Sequence, residues 1–203
     1  MVGCRRATLG FVGYMNFRTR GRDKERGATL IEASIILPLL LLVVISIMEL
    51  GLAFKDYLTV SYVSREGARI GALAGDDTTA DCAILTGLGD LISPDDLARI
   101  DRIEIYEADQ NTGAQGATNV AVYNEGEDPT VCNVPATALD GWTISPIGWP
   151  PTSRNTAVGS DPLDIVGVRV ILNREWITGF GPFSGSQTVD ESTITRLEPE
   201  VFE

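Results

Sequence analysis

The sequence predicts an α+β protein in which a long N-terminal helix, partly transmembrane, precedes a small and mainly antiparallel β-sheet domain. Three observations support this fold class. Residues Ala33 to Met48 form a run of 16 residues without a charge. Small and apolar residues then recur at helical spacing as far as Ala74. The C-terminal half contains several stretches rich in β-branched residues, which are typical of strands.

Charge is distributed unevenly along the 203 residues. Residues 1–27 hold seven Lys and Arg against two acidic residues, a net charge of +5, and the remaining chain holds 9 against 26, a net charge of −17. A basic flank before an apolar run stays in the cytoplasm. We therefore predict an unstructured basic cytoplasmic leader over 1–27 and an exported acidic α+β domain over 76–203. Such an acidic body repels phosphate backbones, which argues against a nucleic-acid partner.

The uncharged run is marginal in length for a membrane span. As a helix it covers about 24 Å, whereas the hydrocarbon core of a bilayer is about 30 Å thick. Extension to Phe54 makes the helix long enough but brings Glu49 near the outer interface. The sequence therefore predicts a transmembrane and assembly helix over 28–54.

The helical pattern continues beyond the membrane as an amphipathic segment over 55–75. Gly67, Gly71 and Gly75 are spaced four apart, so they share one face of the helix and permit close backbone approach. This helix packing face serves either the protein's own sheet or a neighbouring subunit, and the sequence leaves both open. One helix from about Thr29 to Ala74 is the prediction.

The rest of the chain predicts a short helix and four strands. Ser93 followed by proline is typical of a helix start. Alternating or continuous β-forming residues predict strands over 102–107, 119–123, 164–172 and 186–197. Residues 124–163 carry six of the ten prolines, so we expect a long irregular excursion there.

Cysteine and histidine usage narrows the chemistry. Cys82 and Cys132 lie in the exported body, where an oxidising space favours a disulfide between them over two free buried thiols. The chain has no histidine, which removes the commonest general base and the commonest zinc ligand. No phosphate-binding loop, dinucleotide fingerprint or nucleophile elbow occurs. We therefore expect no catalytic residue, no cofactor and no metal site, and no enzymatic activity.

The segment from Gly27 to Glu32 is the strongest functional motif. Glycine lets the backbone enter a tight peptidase site, which makes Gly27 suitable as the residue before a cut. Cleavage between Gly27 and Ala28 would leave a new ammonium on Ala28. Glu32 would then be the fifth residue of the mature chain. A lone carboxylate is costly in lipid, and pairing Glu32 with the ammonium of a neighbouring subunit would remove that cost. Gly27 and Ala28 are thus the predicted processing site, and Glu32 the predicted assembly contact.

Two other readings stay open. The triplet Gly51-Leu52-Ala53 has the small-x-small pattern that signal peptidase prefers, and cleavage after Ala53 would release a secreted domain. Alternatively, the leader is retained and the protein is a permanently anchored extracytoplasmic binding domain, with the aromatic loop over Gly179–Phe183 as its contact surface.

The chain resembles the TadE/TadG-like proteins, minor pilins or pseudopilins of the tight-adherence (Flp) pilus system. The resemblance implies a pilin-like fold and cleavage after Gly27 by a prepilin peptidase. It also implies a single-pass protein of the cytoplasmic membrane with its C-terminal domain outside, drawn into a surface pilus. The implied partners are other pilin or pseudopilin subunits and the pilus assembly platform. The matching segments are Gly27 and Glu32, Ile36-Leu37-Pro38-Leu39-Leu40, Glu49-Leu50-Gly51, Ser64-Arg65-Glu66-Gly67-Ala68-Arg69 and Arg196-Leu197-Glu198-Pro199.

One departure from the family's major pilin is informative. The major pilin is very short and usually carries tyrosine after the glutamate, whereas Ala33 follows Glu32 here and a large domain is present. The resemblance therefore implies a minor subunit.

Overall fold

The computed structural model describes residues 22–133, 141–145, 147–159, 161–179 and 184–199, and for 22–26 and 133 it describes the backbone alone. It confirms the α+β class: a long N-terminal helix precedes a small, mainly antiparallel sheet. In chain order the elements are α1 (Arg22–Ala74), α2 (Ala80–Leu91), α3 (Pro94–Leu97), β1 (Ile100–Ala108), β2 (Gln115–Tyr123), β3 (Cys132–Asn133), β4 (Trp142–Ile144), a 3₁₀ turn (Pro151–Ser153), β5 (Ile165–Glu175) and β6 (Ser186–Arg196).

The chain divides into two compact units, one ending at Ser46 and the other beginning at Ile47. The described part of the first unit is helix only, and it includes Pro38. The helix begins at Arg22 rather than near Thr29, so the predicted unstructured leader is wrong for its last residues, 22–27. Arginine, lysine and glutamate propagate a helix readily, and a single glycine at 27 costs only about 1 kcal/mol.

The second unit contains a six-stranded sheet in the order β3-β4-β2-β1-β5-β6. All neighbours pair antiparallel except β3 with β4. The pair β5 and β6 is the longest, since it runs in continuous register from Ile165 opposite Arg196 to Glu175 opposite Ser186. The long pair β5 and β6 therefore lies at one edge of the sheet, and the short strands β3 and β4 lie at the other edge.

Helices cover one face of this sheet. In α1 the buried stripe includes Val60, Val63 and Ala68, and it packs with α2 against the inward-facing residues of β1 and β5. The opposite face is polar, because Arg102, Glu104, Arg169 and Asp190 form a ladder of ion pairs across β1, β5 and β6. The domain is thus two layers thick, with its core between helices and sheet.

The glycine face of α1 lies inside this core. A Cβ atom built on Gly67 would lie 2.9 Å from Cγ1 of Val168, and one on Gly71 would lie 3.0 Å from Cδ1 of Ile84. Gly75 has a positive φ of 58° and ends the helix. Of the two roles left open by the sequence, the glycines therefore pack on the protein's own sheet and on α2.

Three elements were not predicted. Helix α2 falls in a segment without an assignment, and strands β3 and β4 fall in the excursion expected to be irregular. The four predicted strands correspond to β1, β2, β5 and β6, and Ser93 caps α3 by accepting a hydrogen bond from the backbone N–H of Asp96.

Candidate functional site: the processing segment and the base of the domain

The predicted processing site lies on an exposed stretch of α1. Gly27, Ala28 and Glu32 are all exposed, and a Cβ atom on Gly27 would meet nothing within 4 Å. Within the described ranges the Glu32 carboxylate has no hydrogen bond or ion pair to another side chain. The fold thus gives Glu32 no partner of its own in this part of the chain.

The apolar run that follows is also exposed. Large side chains between Ala33 and Met48 are more than 40% exposed throughout, for example Leu37 at 60% and Ile47 at 65%. The helix stretch Gly27–Ala74 is long and apolar enough to cross a membrane, by length and composition. An apolar helix surface of this extent needs an apolar solvent or a protein partner to cover it.

Glu49 differs sharply from Glu32, because the globular unit buries it to 2% exposure. One carboxylate oxygen accepts a hydrogen bond from Nη2 of Arg174 at 3.2 Å, and the other accepts one from the backbone N–H of Thr178 at 2.8 Å. Nη2 of Arg174 also donates to the backbone carbonyl of Glu49 at 3.0 Å. The end of β5 and the loop after it are therefore fastened to α1 where the uncharged run ends.

This contact belongs to a larger ion network, which we call the base network. The second terminal nitrogen of Arg174, Nη1, donates to the Asp56 carboxylate at 2.7 Å. Arg99 donates to the same carboxylate through both of its terminal nitrogens, at 2.9 and 3.0 Å. Asp96 in turn pairs with Arg99 and with Lys55. The three anions and three cations balance, so the network carries no net charge. Its members are Glu49, Lys55, Asp56, Asp96, Arg99 and Arg174.

Titration behaviour follows from this pairing. Burial by itself would raise the pKa of Asp96, but hydrogen bonds from Lys55, Arg99 and Ser93 hold that pKa below its ordinary value. Hydrogen bonding to Asp56 raises the pKa of Arg99 further above its already high range. Asp96 and Arg99 therefore stay ionised at physiological pH.

A second buried polar cluster holds the excursion against the sheet. Asp81 of α2 pairs with Arg154, whose guanidinium lies 4.4 Å from the ring centroid of Trp149. Asn119 of β2 donates to Asp81 at 2.6 Å and accepts from the backbone N–H groups of Gly148 and Trp149. These bonds fix residues 148–154 on the domain.

A disulfide fastens the same excursion at another point. Cys82 of α2 is bonded to Cys132 of β3, with Cα atoms 5.4 Å apart and a sequence separation of 50. Strand β3 has only two residues and, among the described strands, pairs with β4 alone. The covalent link to α2 therefore replaces the sheet pairing that so short a strand lacks.

The remaining predicted features concern the aromatic loop and metal binding. Trp176 lies beneath Arg174, with the guanidinium carbon 4.8 Å from the ring centroid, whereas Phe180 and Phe183 fall outside the described residues. Among the described residues, no three His, Cys, Asp or Glu side chains are grouped to hold a metal ion.

Sequence reasoning missed both buried polar clusters. A signal was present for the base network: Glu49 and Asp56 are seven residues apart, so they lie on the same helix face as the buried Val60 and Val63. Charged residues on a core-facing stripe indicate internal ion pairing. No comparable signal identifies Arg99 or Arg174 as the partners.

These features define a class of protein: one candidate membrane span joined to one disulfide-bonded α+β domain. The TadE-like protein family matches residues 27–69, from the predicted cleavage glycine to Arg69 on α1. The resemblance drawn from the sequence is thereby confirmed over this segment, and it indicates a protein associated with the Tad pilus. No curated protein and no solved structure matches the chain, so the pilin-like description of the domain stays a prediction.

Proposed function

We propose that the chain is a minor pilin-like (pseudopilin) structural subunit of a tight-adherence pilus assembly or secretion system. A prepilin peptidase removes residues 1–27, and the helix from Ala28 holds the protein in the cytoplasmic membrane with its acidic domain outside. The assembly platform then draws it into a complex with other pilin or pseudopilin subunits, at the cell surface or in the pilus. The role is structural and involves no catalysis and no cofactor.

One observation carries the proposal. Within a segment that matches the TadE-like family, Glu32 is exposed and has no partner among the described residues, whereas Glu49 on the same helix is fully paired within its own chain. A carboxylate left unpaired at the edge of an apolar run is costly in lipid. An ammonium on Ala28 of a neighbouring subunit supplies the missing partner once the leader is cut.

The buried Glu49 also weighs against release of a secreted domain. Cleavage after Ala53 would remove Glu49 from a domain in which Arg174 is only 2% exposed, and would leave Nη2 of Arg174 without either of its acceptors. Arg174 would keep its bond to Asp56 but lose two hydrogen bonds of a charged group, each worth about 1.5–3 kcal/mol. Release at Ala53 would therefore weaken the domain that it frees.

N-terminal sequencing of the protein from native membranes separates the three readings. The proposal expects a chain that begins at Ala28. A chain that keeps its leader supports the permanently anchored binding domain, and one that begins at Phe54 supports the secreted domain. Either of those results overturns the proposed processing.

A pair of variants tests the assembly contact. Glu32→Gln is expected to be cleaved and retained in the membrane but to be absent from the sheared pilus fraction and from crosslinked subunit complexes. Ser34→Ala is the matched control, because Ser34 is an exposed neighbour that bonds only to the carbonyl of Ile31 on its own helix. Normal incorporation of Glu32→Gln would refute the assembly role of Glu32.

A further inference from the structure

The base of the domain presents apolar side chains at the level where the membrane span ends. Counted from Ala33, a helix of the roughly 20 residues that cross a bilayer ends near Leu52. Near this end of the span, Leu50 is 57% exposed and Phe54 is 62% exposed. The outer boundary of the hydrocarbon therefore falls within the globular unit, which begins at Ile47.

The loop after β5 lies at the same level. The backbone N–H of Thr178 binds the Glu49 carboxylate at 2.8 Å, which places Ile177, the preceding residue, beside the helix turn that contains Glu49. Ile177 is 67% exposed and is followed by Thr178 and Gly179. Two separate parts of the chain thus carry exposed apolar residues to one level.

We propose that the loop Trp176–Gly179 is a second membrane contact, in which Ile177 enters the boundary between headgroups and acyl chains of the bilayer that α1 spans. The inference rests on the spanning role assigned to α1 in the proposed function. It commits to lipid because Ile177 lies beside the helix turn of Glu49, near the exposed Leu50 and Phe54, and because it is a single exposed side chain rather than the lining of a groove. Apolar and amphipathic side chains settle about 5–10 Å deep at such an interface.

The base network explains how charged residues are tolerated at this depth. Glu49, Asp56 and Arg174 are each about 2% exposed and are paired with one another, so none of these three charges meets lipid. Lys55 keeps half of its side chain exposed and can extend toward headgroup phosphates. The network therefore neutralises the buried side of the helix while Leu50, Phe54 and Ile177 remain available on the outside.

The contact is tested on the full chain in nanodiscs of equimolar phosphatidylethanolamine and phosphatidylglycerol. Cys4→Ser leaves only the disulfide pair, and one cysteine is then introduced by Ile177→Cys, Val158→Cys or Leu41→Cys and labelled with an environment-sensitive fluorophore. Val158 is the matched control, because it is 80% exposed and lies two residues after Thr156, whose Cγ2 would lie 3.2 Å from a Cβ atom built on Gly75, just after the C-terminal end of α1. Leu41 lies within the apolar run and reports on the span itself.

The inference expects lipids spin-labelled near the headgroup to quench the probe at 177 at least about twofold more than the probe at 158, since interfacial side chains lie at that level. Quenching by aqueous iodide should show the reverse order, with less quenching at 177 than at 158.

Equal iodide quenching at 177 and 158 overturns the contact. A probe at 177 that is quenched neither by iodide nor by the spin-labelled lipid also overturns it, since protein would then cover the probe. If deep spin labels quench at 41, either failure concerns the loop alone. If they do not quench at 41, the spanning role and the contact are overturned together.

Discussion

The two glutamates of α1 have opposite environments. Glu32 is exposed and has no partner among the described residues, whereas Glu49 is buried and accepts hydrogen bonds from both Arg174 and Thr178. The same residue type therefore serves two purposes on one helix. Among the described residues, no side chain pairs with the carboxylate in the first half of α1, whereas the domain supplies both partners of the carboxylate in the second half.

The glycines repeat this difference. A Cβ atom added to Gly27 would meet no other atom within 4 Å, whereas one added to Gly67 would lie against Val168 and Leu88. Small residues in the second half let the helix approach its own sheet closely, and the glycine of the first half leaves the backbone accessible. We therefore expect substitutions in the second half of the helix to affect folding, and, under the proposed function, substitutions in the first half to affect processing and assembly.

The largest effect on stability is expected for Arg174→Met. The change leaves Glu49 and part of Asp56 buried without their cation, which costs about 3–5 kcal/mol in the free energy of unfolding. Urea unfolding of the full chain in detergent micelles, followed by the fluorescence of the buried Trp142 and Trp149, measures it. Arg169→Met is the control, because Arg169 and Asp190 form an exposed pair worth about 0–1 kcal/mol. Equal losses for the two variants would contradict the structural role of Glu49.

A smaller loss is expected for Gly67→Val. A Cβ atom at 67 already lies 2.9 Å from Val168 and 3.1 Å from Leu88, so a larger side chain overpacks the core by about 1–3 kcal/mol. Gly27→Val makes the same change in intrinsic helix propensity, a small gain because valine is a better helix former than glycine, and a Cβ atom there meets nothing within 4 Å. The same urea titration should show a lower midpoint only for Gly67→Val, and a lower midpoint for both would contradict overpacking at Gly67 as the cause.

The acid sensitivity of the base network gives a third test. Because the pKa of Asp96 is lowered in the folded domain, its stabilisation is fully present above the ordinary aspartate value of about 3.9 and is lost as the pH falls through the lower folded-state value. Asp96→Asn should remove about 1–2 kcal/mol at neutral pH and flatten the decline below pH 4. Unfolding curves measured across that range check this, with the exposed neighbour variant Asp95→Asn as control. An unchanged acid limb in Asp96→Asn would contradict the assignment.

The smallest effect on folding is expected for Glu32→Gln. Since Glu32 is exposed and no described side chain forms a hydrogen bond or ion pair with it, the free energy of unfolding of the domain should stay within about 0.5 kcal/mol of the original protein. The same titration measures it, alongside the incorporation assay. A loss of more than about 1 kcal/mol would show that Glu32 already has an internal partner, and the contrast with Glu49 would disappear.

Local pattern was sufficient for the long elements of the fold. The alternation in β1 and the continuous run of Val and Ile in β5 are strong signals, and both strands occur where the sequence predicts them. Helix α2 escaped prediction because it holds Gly87 and Gly89, each costing about 1 kcal/mol in a helix. The structure explains both glycines: a side chain at 87 would meet Ile70, and one at 89 would overlap the backbone of Pro129.

The candidate site likewise has one part that local sequence pattern indicates and another part that it does not. The proposed processing segment is a local motif, so the sequence alone suggests Gly27, Ala28 and Glu32, and these roles stay predictions. The base network joins Glu49 to Arg174 across 125 residues, and no local pattern carries information over that distance. Strands β3 and β4 were missed because two and three residues are too few for periodicity to register.

The long separation between Glu49 and Arg174 also sets an order of events during biosynthesis. At about 5–20 residues per second, a ribosome that has made Glu49 needs roughly 6–25 s more to reach Arg174, which lies 125 residues later. Throughout that interval Glu49 lacks the guanidinium that pairs with it in the folded domain. The contact can therefore close only after most of the chain has been made, and a polypeptide truncated before residue 174 would leave the Glu49 carboxylate without this partner.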